Sequence, residues 1–441
     1  MNQRRRKEQR GRKRASARRL VSGRVPQRLA DSRLSKVRIR PFGGFLGPNR
    51  ADAAQSLGAL AFSALTSVVA GLTLASRQDQ LAMLPGLLLF VPATIGLRGN
   101  VFGPFGSRLS TAIQTGQFSW NAKPDSLLGQ NLIAVVVNSL VAGLGIACAA
   151  EILALLLDPP GGVVPIGFGD FIVVSLVGGM LASIVVLIAT LGLTLASVRF
   201  DWDLDNVTAP LVTATSDLIT LPALVLSLVL VDKGDTTTIT AVIAAFITIA
   251  LTLGLWRSGL SMAKRIVTES IPVLLVAGML SLGAGVAIES FENQLTWVLL
   301  VLLPGYLGTA GALGGILTNR LSTKVHLGLI ERTWIPTGNA RSDMGFTVAL
   351  AAPIFLLLAL IAEGTALIAG EATPGVLLLS AVALTGGVAA TLFALAIAYY
   401  GTLAVVRFGL DPDNLGIPLV TASLDVVGAL TLVAAIHVWG L

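Results

Sequence analysis

One stretch of this chain occurs twice. Residues 200–217 read FDWDLDNVTAPLVTATSD, and residues 408–425 read FGLDPDNLGIPLVTASLD. The two align without a gap, and 10 of 18 positions are identical. Each copy has carboxylates before an apolar segment and one carboxylate inside it, Asp217 or Asp425. A carboxylate inside a membrane helix is costly, so it is by default a functional hypothesis. Two of them at matching places predict one site around a pseudo-two-fold axis.

The composition predicts a membrane protein. Hydrophobic residues make up 54% of the 441 residues, charged residues only 12%, and the mean hydropathy is +0.82. A soluble domain carries about 25% charged residues, and several apolar runs here exceed the ~20 residues needed to cross a bilayer. We therefore expect an all-α fold, a polytopic membrane helical bundle.

The apolar runs predict eleven transmembrane helices. The predicted spans are 55–76, 81–106, 128–156, 171–198, 207–231, 237–256, 270–288, 296–318, 346–369, 375–405 and 415–438. With the N-terminus cytoplasmic, the inner loops hold eleven Lys and Arg residues and the outer loops only Arg77 and Lys233, which is the asymmetry typical of membrane proteins. Five helices alone would leave the second repeat inverted in the membrane. The additional span 237–256 gives it the same orientation as the first, so the repeats are parallel in a 5+1+5 order. The alternative is that 237–256 is an amphipathic or re-entrant segment.

The predicted domains follow from this order. They are a basic cytoplasmic tail (1–50), a first five-helix repeat (51–235), a linker helix with its inner loop (236–268) and a second five-helix repeat (269–441). The tail holds 17 of the 31 Lys and Arg residues and only two acidic residues, and it has no apolar region of a signal peptide. We expect it to be disordered and to contact anionic lipid headgroups; binding of a regulator or of nucleic acid is the disfavoured alternative. The C-terminus is expected outside the cell membrane.

A second, glycine-rich motif is also repeated. Residues 92–116 read PATIGLRGNVFGPFGSRLSTAIQTG and residues 304–328 read PGYLGTAGALGGILTNRLSTKVHLG. Glycines spaced three or four apart let a neighbouring helix approach closely, and they also let backbone carbonyls face a water-filled path. Arg108 and Arg320, at the inner ends, are predicted either to pair with the acidic residues before the fifth span or to snorkel.

Several functional classes are disfavoured. Cys148 is the only cysteine, and the two histidines, His326 and His437, lie far apart, which excludes an intrachain disulfide and a zinc site of the usual kind. There is no Walker-type phosphate-binding loop. With no recognisable nucleophile and base, we expect neither an enzyme nor a bound cofactor.

The two motifs together resemble a known family. G-L-R-G-N, S-R-L-S-T and D-x-D-N-x-x-x-P-L-V-T-x-x-x-D are similar to the MgtE-type divalent cation transporter domain, in the duplicated form of prokaryotic relatives of the eukaryotic solute-carrier magnesium transporters. The resemblance covers nearly all of 51–441 in two copies. It implies a five-helix unit that dimerises around a cation pore, here a self-contained pseudo-dimer in one chain. It also implies that Asp217 and Asp425 bind the transported cation, and that Asn100 is a ligand on one side only, because Ala312 stands at the matching position.

The residue chemistry agrees with a divalent cation. Two facing carboxylates supply two negative charges, and Mg²⁺ prefers oxygen ligands while keeping several waters. Thr213 and Thr421, four residues before the aspartates on the same helix face, are candidate hydroxyl contacts. The remaining candidate metal contacts precede the helices on the inner side: Asp203, Asp205, Asn206, Asp411, Asp413 and Asn414.

Other interpretations of these residues remain open. The inner aspartates form a cation vestibule or cap the helix N-termini, or do both, and Pro210 and Pro418 are expected in the first helical turn. The aspartate pair itself could instead only hydrogen-bond neighbouring helices. Glu151 and Glu363 occupy matching positions near the outer ends of the third helices. They either line the outer entrance or face dipoles of the outer loops.

The predicted function is magnesium transport through a central acidic path between the repeats. The alternatives are a Mg²⁺/Na⁺ or Mg²⁺/H⁺ exchanger and a non-transporting membrane scaffold. The expected partners are a divalent cation and the lipid bilayer; no nucleic acid is expected.

Overall fold

The computed structural model describes residues 50–76, 87–114, 116–157, 167–200, 204–231, 233–291, 295–326, 328–330, 333–407 and 412–441. All regular secondary structure in these ranges is helical. The tail predicted at 1–50 lies outside the described residues except for Arg50, where the first helix begins.

Eleven long helices follow one another along the described chain. In the first repeat these are α1 (Arg50–Ala75), α2 (Leu87–Gln114), α3 (Leu127–Leu157), α4 and α5 (Leu204–Ser227). Helix α4 consists of Phe168–Ile172, a π-helical stretch Val173–Gly178, and Gly179–Phe200. The linker helix is α6 (Asp235–Arg257), and the second repeat contributes α7 (Ser261–Glu289), α8 (Trp297–His326), α9 (Gly338–Ala369), α10 (Val376–Arg407) and α11 (Pro412–Trp439).

Each predicted span corresponds to one of these helices, which confirms the helical bundle. The largest boundary error is at α7, which begins at Ser261 instead of 270. Its first turns are polar, and the ion pair between Arg265 Nε and Glu269 Oε1, at 2.7 Å, supports a helix there. A helix can continue past the apolar run because its backbone hydrogen bonds are internal, so hydropathy marks only the part that fits a bilayer.

Nine of the helices in the described ranges are long and apolar enough to cross a membrane. In α5 the described side chains form a shorter apolar stretch, Ala214–Leu230. Burial separates centre from periphery: 94% of the most apolar stretch of α8 is buried, against 17% for α6. The linker α6 is thus a full-length helix on the outside of the bundle, and not a short re-entrant segment.

The first helix of each repeat packs against the second helix of the other repeat. A Cβ added to Gly71 in α1 would lie 2.2 Å from the carbonyl oxygen of Val301 in α8. One added to Gly285 in α7 would lie 2.0 Å from the carbonyl oxygen of Leu89 in α2. Leu89 and Val301 occupy matching positions in the alignment of the glycine-rich motifs. Contacts of this reciprocal kind are those that a two-fold axis generates, and they place α1, α2, α7 and α8 in the core.

Candidate functional site

A cavity of about 70 Å³ lies between the two repeats. Both glycine-rich motifs line it, through residues that include Pro92, Gly96, Gly99, Gly103, Pro304, Gly308, Gly311 and Gly315. Asp217 and Asp425 line the same cavity. Its volume has room for several water molecules, and the absence of side chains on the glycines keeps this space open. The two sequence motifs therefore meet at one place.

The two aspartates lie at equal depth in their helices. Asp217 is thirteen residues after the first residue of α5, and Asp425 is thirteen residues after the first residue of α11. At 1.5 Å per residue this depth is about 20 Å, near the middle of a helix that crosses a ~30 Å hydrocarbon core. Asp217 is only 1% exposed, whereas Asp425 is partly exposed.

Each aspartate accepts a hydrogen bond from a serine of the first helix in its own repeat. Ser67 Oγ in α1 donates to Asp217 Oδ2 at 2.6 Å, and Ser281 Oγ in α7 donates to Asp425 Oδ2 at 2.6 Å. The sequence interpretation missed both serines. The signal was present as a short echo, S-V-V-A-G at 67–71 and S-L-G-A-G at 281–285, but five residues are too few to stand out in an apolar chain.

Side chains from opposite repeats also meet at the cavity. Thr421 Oγ1 in α11 donates to Asn100 Oδ1 in α2 at 2.6 Å, and both residues line the cavity. A Cβ added to Gly96 would lie 3.1 Å from Asp425 Oδ2, so the carboxylate approaches the α2 backbone closely. In this way Asp425 and Thr421, from the second repeat, face a helix of the first repeat.

The remaining predicted contacts are only partly described. Asp203 and Asp411 lie outside the described residues. The backbones of five others lie in α5 or α11, but their side chains are outside the description: Asp205, Asn206, Thr213, Asp413 and Asn414. The prediction that Pro210 and Pro418 lie in the first helical turn is wrong. Helix α5 begins at Leu204, so Pro210 is inside it. Helix α11 begins at Pro412, so Pro418 is inside it, where a proline removes one backbone donor from the helix.

The inner arginines of the glycine-rich motif contact the third helices. Arg108 Nε donates to Asn131 Oδ1 at 2.9 Å in the first repeat, and Arg320 Nε donates to Asp343 Oδ1 at 3.1 Å in the second. Lys324 Nζ adds a second donor to Asp343 at 2.5 Å. These contacts anchor the inner end of each second helix. The acidic residues before the fifth helix have side chains outside the described part of the chain, so pairing of the arginines with them stays a prediction.

The matched glutamates are not equivalent. Glu363 in α9 is 2% exposed and accepts a hydrogen bond from Thr373 Oγ1 at 2.7 Å. Glu151 in α3 is only partly buried. Neither is among the residues that line the central cavity, so entrance lining stays a prediction without support from this cavity.

Arg98 is an intramembrane cation without a carboxylate partner among the described residues. It is 1% exposed, and its Nη2 makes one long contact, 3.5 Å, with the carbonyl oxygen of Ser175 in the π-helical stretch of α4. Within the described part of the chain, its Nε and Nη1 have no hydrogen-bond partner. The close approach depends on Gly179, where an added Cβ would lie 1.9 Å from Nη2. The second repeat has Ala310 in place of this arginine.

Comparison with known proteins assigns the sequence of this chain to a family. A family model for MgtE, divalent cation transporter, matches residues 91–229 and 303–435. The two matched segments correspond to α2–α5 and α8–α11, and together they make up more than half of the chain. The match is therefore duplicated in the way that the repeated motifs predict.

Individual relatives agree with the family match. The chain is 27% identical to rat (Rattus norvegicus) solute carrier family 41 member 3 over 55% of its length and 52% of the relative's. It is 26% identical to the mouse (Mus musculus) member 3, over 78% of this chain and 73% of that protein. For chicken (Gallus gallus) member 2 the identity is 27%, over 84% and 67%. The match thus spans about half of the rat protein and about three quarters of the mouse protein.

Among solved structures, the eukaryotic MATE transporter AtDTX14 aligns over 88% of this chain and 96% of its own, with 13% identity and a TM-score of 0.34. That score is too low to indicate a shared fold. The duplicated family match is the finding that identifies the protein: the chain belongs to the MgtE family of divalent cation transporters.

Proposed function

We propose that this chain transports Mg²⁺ across the cell membrane through a central path between its two repeats, with Asp217 and Asp425 as the principal cation contacts. The observation that carries the proposal is the meeting of the two carboxylates, at equal helix depth, in one cavity lined by both glycine-rich motifs. Two carboxylates in a membrane interior are costly unless a cation compensates them.

The chemistry of the cavity suits a hydrated divalent ion. Its polar lining includes carboxylate, amide and hydroxyl oxygens from Asp217, Asp425, Asn100 and Thr421, and oxygen is the ligand that Mg²⁺ prefers. Mg²⁺ also gives up its waters reluctantly, so a space for several waters beside two carboxylates fits an ion that keeps part of its shell.

The remaining features complete the proposal. One chain supplies both halves of the path as a pseudo-dimer, with domains at 51–235 and 269–441 and a linker at 236–268. The N-terminus is cytoplasmic and the C-terminus is outside. The vestibule role of Asp203, Asp205, Asp411 and Asp413 belongs to the same proposal. The tail at 1–50, with its excess of Lys and Arg, contacts anionic lipid headgroups on the inner surface.

The test is uptake by a double variant. Asp217→Asn with Asp425→Asn should abolish Mg²⁺ uptake in a magnesium-requiring host, because it removes both charges while keeping the size of the side chains. Surface labelling verifies that the protein reaches the membrane. Asp125→Asn, at an exposed loop position, is the matched control and should transport normally. Unchanged uptake by the double variant would show that the site assignment is wrong.

The same proteins distinguish a channel from an exchanger. In proteoliposomes, Mg²⁺ flux down its own gradient should be independent of a Na⁺ or H⁺ gradient if the path is continuous. Flux that requires such a gradient, with a fixed stoichiometry, would establish the exchanger instead. Absence of flux from protein that folds and inserts correctly would favour a membrane scaffold.

A further inference from the structure

Each cavity aspartate has one oxygen engaged by a buried serine. Ser67 and Ser281 are both 1% exposed, and neither is among the residues that line the cavity. Their hydroxyls donate to Oδ2 of Asp217 and Oδ2 of Asp425, both at 2.6 Å. This length lies in the range of charge-assisted O–H···O⁻ bonds, which are roughly twice as strong as neutral ones. The serines therefore approach the carboxylates from behind, away from the cavity.

The other carboxylate oxygen of Asp217 remains available. Asp217 Oδ1 is buried and has no hydrogen-bond partner among the described residues, although the side chain lines the cavity. The terminal torsion of an aspartate is broad and has no sharp rotamer wells. Without the serine the carboxylate could rotate freely, and either or both oxygens could turn towards an ion. With the serine hydrogen bond in place, one carboxylate oxygen is held away from the ion.

The serines are themselves held in place by both repeats. Gly71 and Gly285 lie four residues, about one helical turn, after the serines. Each of these glycines meets a backbone carbonyl of the opposite repeat, at Val301 or Leu89. The α2 backbone also approaches this pair closely, because a Cβ added to Gly96 would lie 3.2 Å from Ser281 Oγ and 3.1 Å from Asp425 Oδ2. The hydroxyls are thus fixed relative to the cavity by backbone contacts.

We propose that Ser67 and Ser281 are specificity-determining positioning residues, which restrict each aspartate to monodentate contact with the cation and so favour Mg²⁺ over Ca²⁺. Mg²⁺ requires near-ideal octahedral geometry with a few single carboxylate contacts and retained waters, whereas Ca²⁺ accepts bidentate carboxylates and a larger, flexible ligand set. A carboxylate with one oxygen already engaged suits the first ion and hinders the second. This inference rests on the proposed function.

The test compares Mg²⁺ flux and its inhibition by Ca²⁺ in proteoliposomes. In Ser67→Ala with Ser281→Ala, we expect the half-saturating Mg²⁺ concentration to rise and the Ca²⁺ concentration that halves the flux to fall. The ratio of the inhibitory Ca²⁺ concentration to the half-saturating Mg²⁺ concentration should therefore decrease by about tenfold, given the strength of hydrogen bonds to charged groups. Ser→Thr at both positions keeps the hydroxyl and should retain the original ratio. The maximal flux per inserted protein should change less than the ratio.

A matched control lies in the same helix. Ser63 is also 1% exposed, and its hydroxyl has no hydrogen-bond partner in the ranges that the structure describes. Ala277 occupies the matching position in α7. Ser63→Ala therefore removes a buried hydroxyl that does not contact a carboxylate, and it should leave the ratio unchanged.

Two results would overturn the inference. The first is an unchanged ratio of inhibitory Ca²⁺ to half-saturating Mg²⁺ concentration in the alanine double variant, even if its maximal flux is lower. Loss of a merely structural serine would lower the flux without changing this ratio. The second is an equal change in Ser63→Ala. If the alanine double variant does not insert, the single alanine variants and Ser→Cys, whose thiol is a weak donor, take its place. Each should give an intermediate ratio. A wild-type ratio in these variants would count against the role of the serines. Loss of flux in the aspartate double variant with an unchanged ratio in the serine variants would leave the proposed function standing and remove only the serine role.

Discussion

The two repeats match in the contacts that their first helices make, and they differ in several polar residues of their second and third helices. Ser67 and Ser281 make the same bond to an aspartate, and the glycines Gly71 and Gly285 make the same contact with a carbonyl of the opposite repeat. These features place the helices around the cavity. A difference in any of them would tilt one half relative to the other.

Matched positions on α2, α8 and the third helices differ in polarity or charge. Examples are Arg98 and Ala310, Asn100 and Ala312, Ala112 and Lys324, and Asn131 and Asp343. In a dimer of identical chains, matching positions carry the same residue, and the two-fold interface uses the same surface on both subunits. A fused chain has no such requirement, so its two halves can differ in charge around a shared cavity.

Two of the differences compensate each other. The first repeat has one arginine, Arg108, bonded to the neutral Asn131. The second has Arg320 and Lys324 on the anionic Asp343, and the Arg320 guanidinium also lies 4.6 Å above the Phe346 ring centroid. Counted over these residues alone, each cluster carries one net positive charge. The charge of Lys324 balances that of Asp343, and the first repeat has neither charge. We therefore predict that the two residues can be replaced by their first-repeat counterparts only together.

The largest effect is expected when this pair is broken. Asp343→Asn copies the first repeat at one position, but it removes the carboxylate that two cations contact in a buried setting. Removal of one partner of a buried ion pair is destabilising by about 3 kcal/mol or more. The midpoint of thermal unfolding in detergent, followed by size-exclusion chromatography, should fall markedly.

The compensating variant sharpens the comparison. Asp343→Asn with Lys324→Ala reproduces the complete first-repeat cluster and should recover most of the lost stability. A double variant no more stable than Asp343→Asn alone would show that the two differences are independent, and that equal net charge in the two clusters is a coincidence.

A smaller and equal effect is expected at the matched glycines. Gly71→Ala and Gly285→Ala each bring a methyl group within about 2 Å of a carbonyl oxygen, which forces the helices apart. Overpacking of this kind typically costs about 1–3 kcal/mol. Both variants should lower the unfolding midpoint by the same amount, whereas Gly58→Ala, with nothing within 4 Å of the added carbon, should not lower it. Loss of stability in only one of the two would contradict the two-fold relation of these contacts.

The sequence predicted the helices well and the side-chain contacts poorly, for a physical reason. Apolar runs long enough to cross a bilayer identify a helix by themselves, and Asp217 and Asp425 are conspicuous because a charge is costly there. Hydrogen-bond partners depend instead on how distant segments pack. Ser67 is 150 residues from its aspartate, and Thr421 is 321 residues from Asn100. A repeated motif indicates that two residues are equivalent, but not what each of them contacts.

The π-helical stretch in α4 was also beyond the sequence interpretation. The segment Val173–Gly178 is as apolar as its neighbours, and the matching helix α10 is α-helical throughout. Such stretches are frequent at functional sites. Here the carbonyl oxygen of Ser175 accepts the long contact from Arg98, and the two unusual features occur together in the first repeat only.

The smallest effect is expected from removal of this unmatched charge. Arg98→Ala gives the first repeat the residue that the second already has, Ala310. The Arg98 guanidinium contacts α4, whereas Gly96 and Gly99 on the same helix line the cavity. A helix is about 10–12 Å across with its side chains. Repulsion between a fixed cation and a bound ion over that distance is on the order of 1 kcal/mol in a partly wet setting. We therefore expect the half-saturating Mg²⁺ concentration for flux to fall about fivefold in Arg98→Ala. Arg98→Lys, which keeps the charge, should resemble the unmodified protein, and an equal change in both variants would assign Arg98 to helix packing instead of electrostatics.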